Sequence, residues 1–213
     1  MNVLRLYHIL PRPDHPGSHN ALKVAVLLRE LGLDFELIDV DPATELRPAD
    51  APLRALNPNG LTPILDDDGF ILWESSAILQ YLCDSRGPTP LLPTEPRRRA
   101  RVLQWLGWEA STVIPALMAL YLARVGGGDD AAASERMAFV LGILERQLDG
   151  RDWVADGYSI ADIALGAGVP ALLPLGVDFA PYPAVRRWLT ALRERPAWQD
   201  AIFWADLRAG GLA

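Results

Sequence analysis

One cysteine, one lysine and three histidines confined to the first nineteen positions leave this 213-residue chain short of the usual thiol, amine and imidazole chemistry. With Cys83 alone there is no disulfide framework, no CxxC redox pair and no thiolate cluster for a metal. Any thiol chemistry therefore uses a thiol brought by another molecule. Cys83 itself closes the apolar run AILQYL and reads as a packed, inert side chain. His8, His15 and His19 are tied to carboxylates by no HExxH pattern and no i, i+4 pair, so no metal site is expected. Basic residues number 20 against 27 acidic ones, for a net charge of −7. That balance argues against a nucleic-acid partner, whose phosphates need a basic face. The one basic cluster, Arg97 to Arg99 with Arg101, reads as a solvated or subunit-facing surface. Long hydrophobic runs are missing too: Ile163 to Val177 is short and broken by Pro170 and Pro174. MNVLRLYHIL reads as a strand and not as a secretory signal. The expectation is a cytoplasmic protein with no membrane partner.

What remains is 50% hydrophobic and 22% charged, enough apolar material for a sizeable core. Val3 to Tyr7 is rich in strand formers. Ser18 to Leu31 spaces Val24, Leu27, Leu28 and Leu31 three and four apart, as one face of a helix does, with Gly32 as its stop. Phe35 to Val40 alternates as a second strand, and Leu53 to Leu56 forms a short helix before the turn at Asn57-Pro58. A strand from Thr62, a turn at Asp67-Asp68-Gly69, a strand from Phe70 to Trp73 and a helix from Ser75 follow. The order βαβ then ββα is thioredoxin-like, and the right-handed crossover rule makes its first unit parallel. Four prolines in SRGPTPLLPTEP mark a connector. Beyond it only helices are expected: Glu95 to Arg124, kinked by Pro115 and ended by Gly126 to Gly128, then Ala131 to Leu148, Ser159 to Leu173, Tyr182 to Arg193 and Trp198 to Leu207. The fold class is α/β plus all-α, with a thioredoxin-like domain over 1–84, a linker over 85–95 and a helical bundle over 96–213. Ser159-Ile160-Ala161-Asp162 reads as a capping box, a folding feature.

The stretch NPNGLTPILDDDGFILWESSAILQYL, Asn57 to Leu82, reads as a device for holding a short peptide. A cis Thr62-Pro63 bond, which costs only about 0.5–1 kcal/mol before proline, turns the Thr62 N–H and C=O outward. There they can pair with an extended peptide, as in strand addition at a sheet edge. The first N–H groups of the helix beyond Glu74, with the Ser75 hydroxyl, suit a carboxylate, and ionised Glu74 suits an ammonium. A ligand end carrying both groups is an amino-acid terminus. A plain hairpin or an N-capped helix accounts for either half alone. Both halves, in this order and spacing, resemble the glutathione site of the cytosolic glutathione transferases. The resemblance implies glutathione as cosubstrate, its cysteine backbone on Thr62-Pro63 and its γ-glutamyl end on Glu74 and Ser75. YSIADIAL is similar to the SxAD cap in the helical half of that family.

A thiol with a pKa of about 8.5 is mostly protonated at neutral pH, so a transferase must stabilise the thiolate, and donors at a helix start do so. SHNALKV resembles the activating segment of serine- and threonine-type transferases, nearest the bacterial nu-like group. This implies Ser18 as thiolate donor with Asn20 assisting. Ser18 also stands where an ordinary N-cap would, and the two readings are compatible. Tyr7, at the end of the first strand, is the second candidate activator. WLGWEASTVIP resembles the nu-like segment that lines an apolar electrophile pocket, which implies Trp108, Ser111 and Thr112 as pocket wall and Trp105 as a core or subunit contact; Tyr121 and Trp204 are further aromatics of the helical half. The loop PRPDHPG can arch over the site and bring Arg12, His15 or His19 to the ligand. Leu61 departs from the family, where a Lys or Gln often meets the glycyl end of glutathione. A homodimer is implied by the resemblance. Beside the transferase stand two other readings: a non-catalytic binding or scaffold protein of the same fold, and a dehalogenase, isomerase or ring-cleaving lyase sharing the site.

Overall fold

The computed structural model describes residues 3–10 and 17–199. Its N-terminal half is a four-stranded sheet ordered β2-β1-β3-β4, from β1 (Leu4–His8), β2 (Phe35–Asp39), β3 (Ile64–Asp67) and β4 (Phe70–Trp73). β1 runs parallel to β2 and antiparallel to β3, and β3 to β4 is an antiparallel hairpin. The helix α1 (His19–Glu30) makes the crossover between β1 and β2, and α2 (Ser75–Ser85) follows β4. This is the βαβ-ββα order expected from the alternating and helical periodicities.

Every residue of α1 from Ala21 to Leu28 is buried. ALKVAVLL is apolar on all sides but for Lys23, the composition of a helix packed all round. On one side α1 meets Leu4 and Leu6 of the sheet, and on another it meets the helix α6 (Ile160–Gly168) of the C-terminal half within one continuous core. The opposite sheet face is covered by the segment after β2, a π-type turn Pro42–Leu46 and a 3₁₀ turn Pro52–Ala55; Leu46 and Leu53 pack there with Ile9, Val40 and Tyr7. The first of these turns was not anticipated. Tyr7 is thereby occupied as a packing residue under the sheet.

The C-terminal half is helical: α3 (Pro96–Trp108), α4 (Ile114–Val125), α5 (Ala131–Leu148), α6, α7 (Pro183–Glu194) and α8 (Pro196–Gln199). Positions 200–213, with Trp204 and most of the expected last helix, lie outside the described residues. The kink expected at Pro115 takes a specific form. Helix runs unbroken over 30 residues, Pro96–Val125, but passes through a π turn at Glu109–Val113 just before the proline. Proline lacks an N–H and crowds the preceding turn; a wider turn there accommodates both defects. Among the described residues this segment, and not Ile163 to Val177, is the helix long and apolar enough to cross a membrane by length and composition alone, with a third of its most apolar window buried. Met118, Leu122 and Val125 form an exposed apolar stripe along α4.

Candidate active site

The strand registers bring the expected site residues to one end of the sheet. Tyr7 pairs with Ile64, and Ile64 with Trp73. Pro63 and Thr62, just before β3, therefore lie beside the exit of β1, while Glu74 and Ser75, just after β4, emerge alongside them. Ser18 reaches the same end because its N–H donates to the Ile9 carbonyl at 3.0 Å. The Thr62-Pro63 bond is cis, as expected.

The turn ahead of Thr62 is locked from within. The Asn57 amide, 2% exposed, donates from Nδ2 to the Leu61 carbonyl (2.8 Å) and accepts at Oδ1 from the Asn59 backbone N–H (3.0 Å). Gly60 sits at φ +64°, and a Cβ there would stand 2.6 Å from the Leu46 carbonyl oxygen, so only glycine fits. Arg54 ties three carbonyls, Leu46, Arg47 and Pro58, to this turn. Asn57 and Arg54 thus hold the edge at Thr62-Pro63 in place; the NPNG signature marked the turn but not these contacts.

Ser18 is the N-cap of α1, its Oγ accepting from the Ala21 N–H at 3.3 Å. Among the described residues nothing takes its hydroxyl hydrogen. Asn20, in the first turn, is bound through Oδ1 to Lys23 Nζ at 2.7 Å, and Lys23 in turn donates to Glu109 Oε1 at 2.7 Å. Lys23 and Glu109 are 1% and 0% exposed. Burial pushes the ammonium down and the carboxyl up, and their mutual attraction opposes both shifts. His19 beside them is driven down to about 4, by burial first and by the Lys23 charge second, and is neutral at physiological pH. Burial likewise pushes the Cys83 thiol up to about 12, in keeping with an inert cysteine. Of the loop expected to arch over the site, residues 11–16 lie outside the described residues.

A family profile described as "Glutathione S-transferase, N-terminal domain" matches residues 17–85, the stretch that contains Ser18, Thr62, Pro63, Glu74 and Ser75. Glutathione S-transferase GstB of Escherichia coli K12 is 34% identical over 196 residues, covering 87% of this chain and 94% of its own. The chain belongs to the glutathione S-transferase family. Disulfide-bond oxidoreductase YfcG of the same strain is also 34% identical, over 207 residues, 90% of this chain and 93% of that one. A Pseudomonas putida glutathione transferase, solved with one glutathione disulfide bound per subunit, superposes with a TM-score of 0.80 at 28% identity, covering 94% of this chain and 91% of that one.

In this glutathione S-transferase family member, the helix face that carries Trp108, Ser111 and Thr112 is fastened to α1 through Glu109. Trp108 is half-buried and packs edge-on against Trp105 at 5.0 Å between ring centroids. Ser111 is exposed and Thr112 half-buried. Lys23 and Glu109 were not singled out as site residues, yet each carried a signal: the only lysine of the chain, and an acid in an otherwise apolar helical stretch. Leu61 points to solvent, 62% exposed.

Glu74 holds φ +71° and ψ +110°, a region that costs a non-glycine residue about 1–3 kcal/mol. Its side chain is exposed and makes no cap bond to α2. Glu74→Gly is expected to stabilise the protein by about 1 kcal/mol in urea titration, the relief of strain exceeding the entropic penalty of glycine.

Proposed function

We propose that this chain is a glutathione transferase of the serine/threonine type, nearest the nu-like group, presenting a glutathione thiolate to an electrophile or a disulfide. The tripeptide's cysteine backbone lies along Thr62-Pro63, its γ-glutamyl ammonium on Glu74 and its carboxylate on Ser75 and the open N–H groups of α2. Its sulfur lies at the start of α1, where the Ser18 hydroxyl donates and the Asn20 amide assists. The observation that carries this reading is the unspent Ser18 hydroxyl proton at the same sheet end as exposed Glu74. The names of the relatives support it: GstB is a transferase and YfcG a disulfide-bond oxidoreductase. Trp108, Ser111 and Thr112 line the second-substrate pocket.

The function divides along the chain, with 1–84 holding glutathione, 85–95 connecting and 96–213 supplying the pocket. The protein works in the cytoplasm as a homodimer, the apolar stripe Met118, Leu122 and Val125 contributing to the face between subunits. Light scattering at micromolar concentration is expected to return twice the 23.4 kDa chain mass. Calorimetry with glutathione, followed by assays of conjugation and of disulfide reduction, tests the central reading. Saturable binding with either activity supports it; absence of binding points to the scaffold reading instead. Glu74→Gly, stabilising to the fold, is expected to weaken glutathione binding about tenfold by removing an ammonium partner.

A further inference from the structure

The contacts around Asn20 decide which way its amide faces. An asparagine side chain has one accepting end and one donating end, and a lysine ammonium, here paired with the Glu109 carboxylate, has no lone pair and is met only by the accepting end. The 2.7 Å contact between Lys23 Nζ and Asn20 Oδ1 therefore excludes the flipped amide on chemical grounds. Lys23, one turn along α1 from Asn20, is held in turn by Glu109, 86 positions away on the π turn of the helical half. The other oxygen of Glu109 is buried without a hydrogen-bond partner among the described residues.

We propose that Lys23 is a positioning residue of the thiol chemistry: braced by Glu109, it holds the Asn20 carbonyl oxygen so that the amide presents only N–H donors to the sulfur of bound glutathione. The inference rests on the transferase reading above and adds to it the residue that orients the second donor. The donor set is complete only when the two halves of the chain are packed, because the brace comes from the helical half.

The charges facing Lys23 are few. Glu109 lies across the interface, Glu74 attracts it from the turn before α2, and His19 on its own helix is neutral, held at about 4 by burial and by Lys23 itself. No titration of a neighbour is needed for the orientation to persist across the neutral range.

The pair must be removed together, since taking away Lys23 alone leaves a buried carboxylate unpaired. In Lys23→Met/Glu109→Leu the Asn20 amide is free to rotate. The ultraviolet absorbance of the bound thiolate, followed against pH, is expected to report a thiol pKa raised by roughly one to two units. kcat at neutral pH falls by about tenfold or more, the KM for glutathione changes little, and activity returns as pH is raised. In an Asn20→Ala background the same double replacement is expected to give no further shift. Asn20→Asp, which preserves the Lys23 contact and so the fold, presents an oxygen in place of the N–H donors and is expected to raise the thiol pKa. A folded double variant with the wild-type thiol pKa, a shift of equal size in the Asn20→Ala background, or an Asn20→Asp protein with an unchanged or lowered thiol pKa overturns the proposal. If the wild type itself binds glutathione without lowering its thiol pKa, the transferase mechanism fails and the role of Lys23 with it. Wild-type activation with either of the first two contrary results removes Lys23 alone, whereas an unmoved or lowered thiol pKa in Asn20→Asp removes the Asn20 donor with it and leaves Ser18.

Discussion

Ser18→Ala is expected to lower kcat at neutral pH by about 10²-fold, the usual effect of deleting one donor aimed at a developing or resident anion. The alanine enzyme is expected to retain its affinity for glutathione, because the proposed binding contacts lie elsewhere, along Thr62-Pro63 and at Glu74 and Ser75. Its pH–rate profile moves to higher pH, toward the value of about 8.5 for an ordinary thiol. Ser18 has a second role, as N-cap of α1 through the 3.3 Å contact from the Ala21 N–H, and its loss also costs stability of about 1 kcal/mol. Two further variants separate the roles. Aspartate is as good a cap as serine but has no proton to give and repels a thiolate, so Ser18→Asp keeps the melting temperature and loses the activity. Threonine retains both the acceptor and the proton. An Asp variant as active as wild type, or an unmoved pH profile in Ser18→Ala, removes Ser18 from the mechanism.

Asp162→Ala is expected to destabilise the protein by about 3–5 kcal/mol, enough to leave much of it unfolded at 37 °C. Asp162 is fully buried, and its two oxygens each accept from two donors. Oδ1 takes the Val154 N–H and the Trp188 Nε1–H, both at 3.0 Å. Oδ2 takes the N–H and hydroxyl of Ser159 at 3.0 and 3.1 Å, closing the capping box of α6. Alanine strands those donors away from water, and the unmet groups, more than the lost bonds themselves, set the size of the effect. Asparagine is expected to fall between. Its oxygen serves Val154 and Trp188, its NH₂ donates to the rotatable Ser159 hydroxyl, and only the Ser159 N–H is left unmet. Equilibrium denaturation of the three proteins gives the order; an alanine variant within about 1 kcal/mol of wild type contradicts the network's role. Since α6 packs against α1, loss of this cap also loosens the helix that bears Ser18.

Glu30 ties the far end of α1 to the helical half in the same manner. Arg195 meets both of its oxygens at 2.8 Å, and the Tyr158 hydroxyl donates to it at 2.9 Å. With Lys23 and Glu109 near its start, α1 is fastened at two points to the C-terminal half. The helix that begins at Ser18 and carries Asn20 is thereby held by side chains from both halves of the chain.

Much of this architecture was legible in the order of residues, because helix and strand periodicities, caps and turns are local properties. Ser18, Gly32 and Ser159 marked helix ends that the structure places within a residue, and the two strands around Asp68-Gly69 form the expected hairpin. The cis Thr62-Pro63 bond and its place beside Glu74-Ser75 were legible for the same reason, since these residues lie close together in the chain. Pro115 signalled a disturbance, but its form, a π turn one step earlier, depends on how the helix packs. The partnership of Lys23 with Glu109 was beyond local reading, because 86 positions separate them and nothing in their flanking residues points from one to the other. The left-handed backbone of Glu74 was likewise hidden, since no turn signal asks for it; the sheet end and α2 impose it. Sequence by itself determined the family of fold and placed Thr62-Pro63 and Glu74-Ser75 around one hairpin, through short-range patterns. Tertiary packing alone decided how α1 is fastened, because only the meeting of the two halves buries a lysine beside a glutamate and so fixes which atom of Asn20 Lys23 holds.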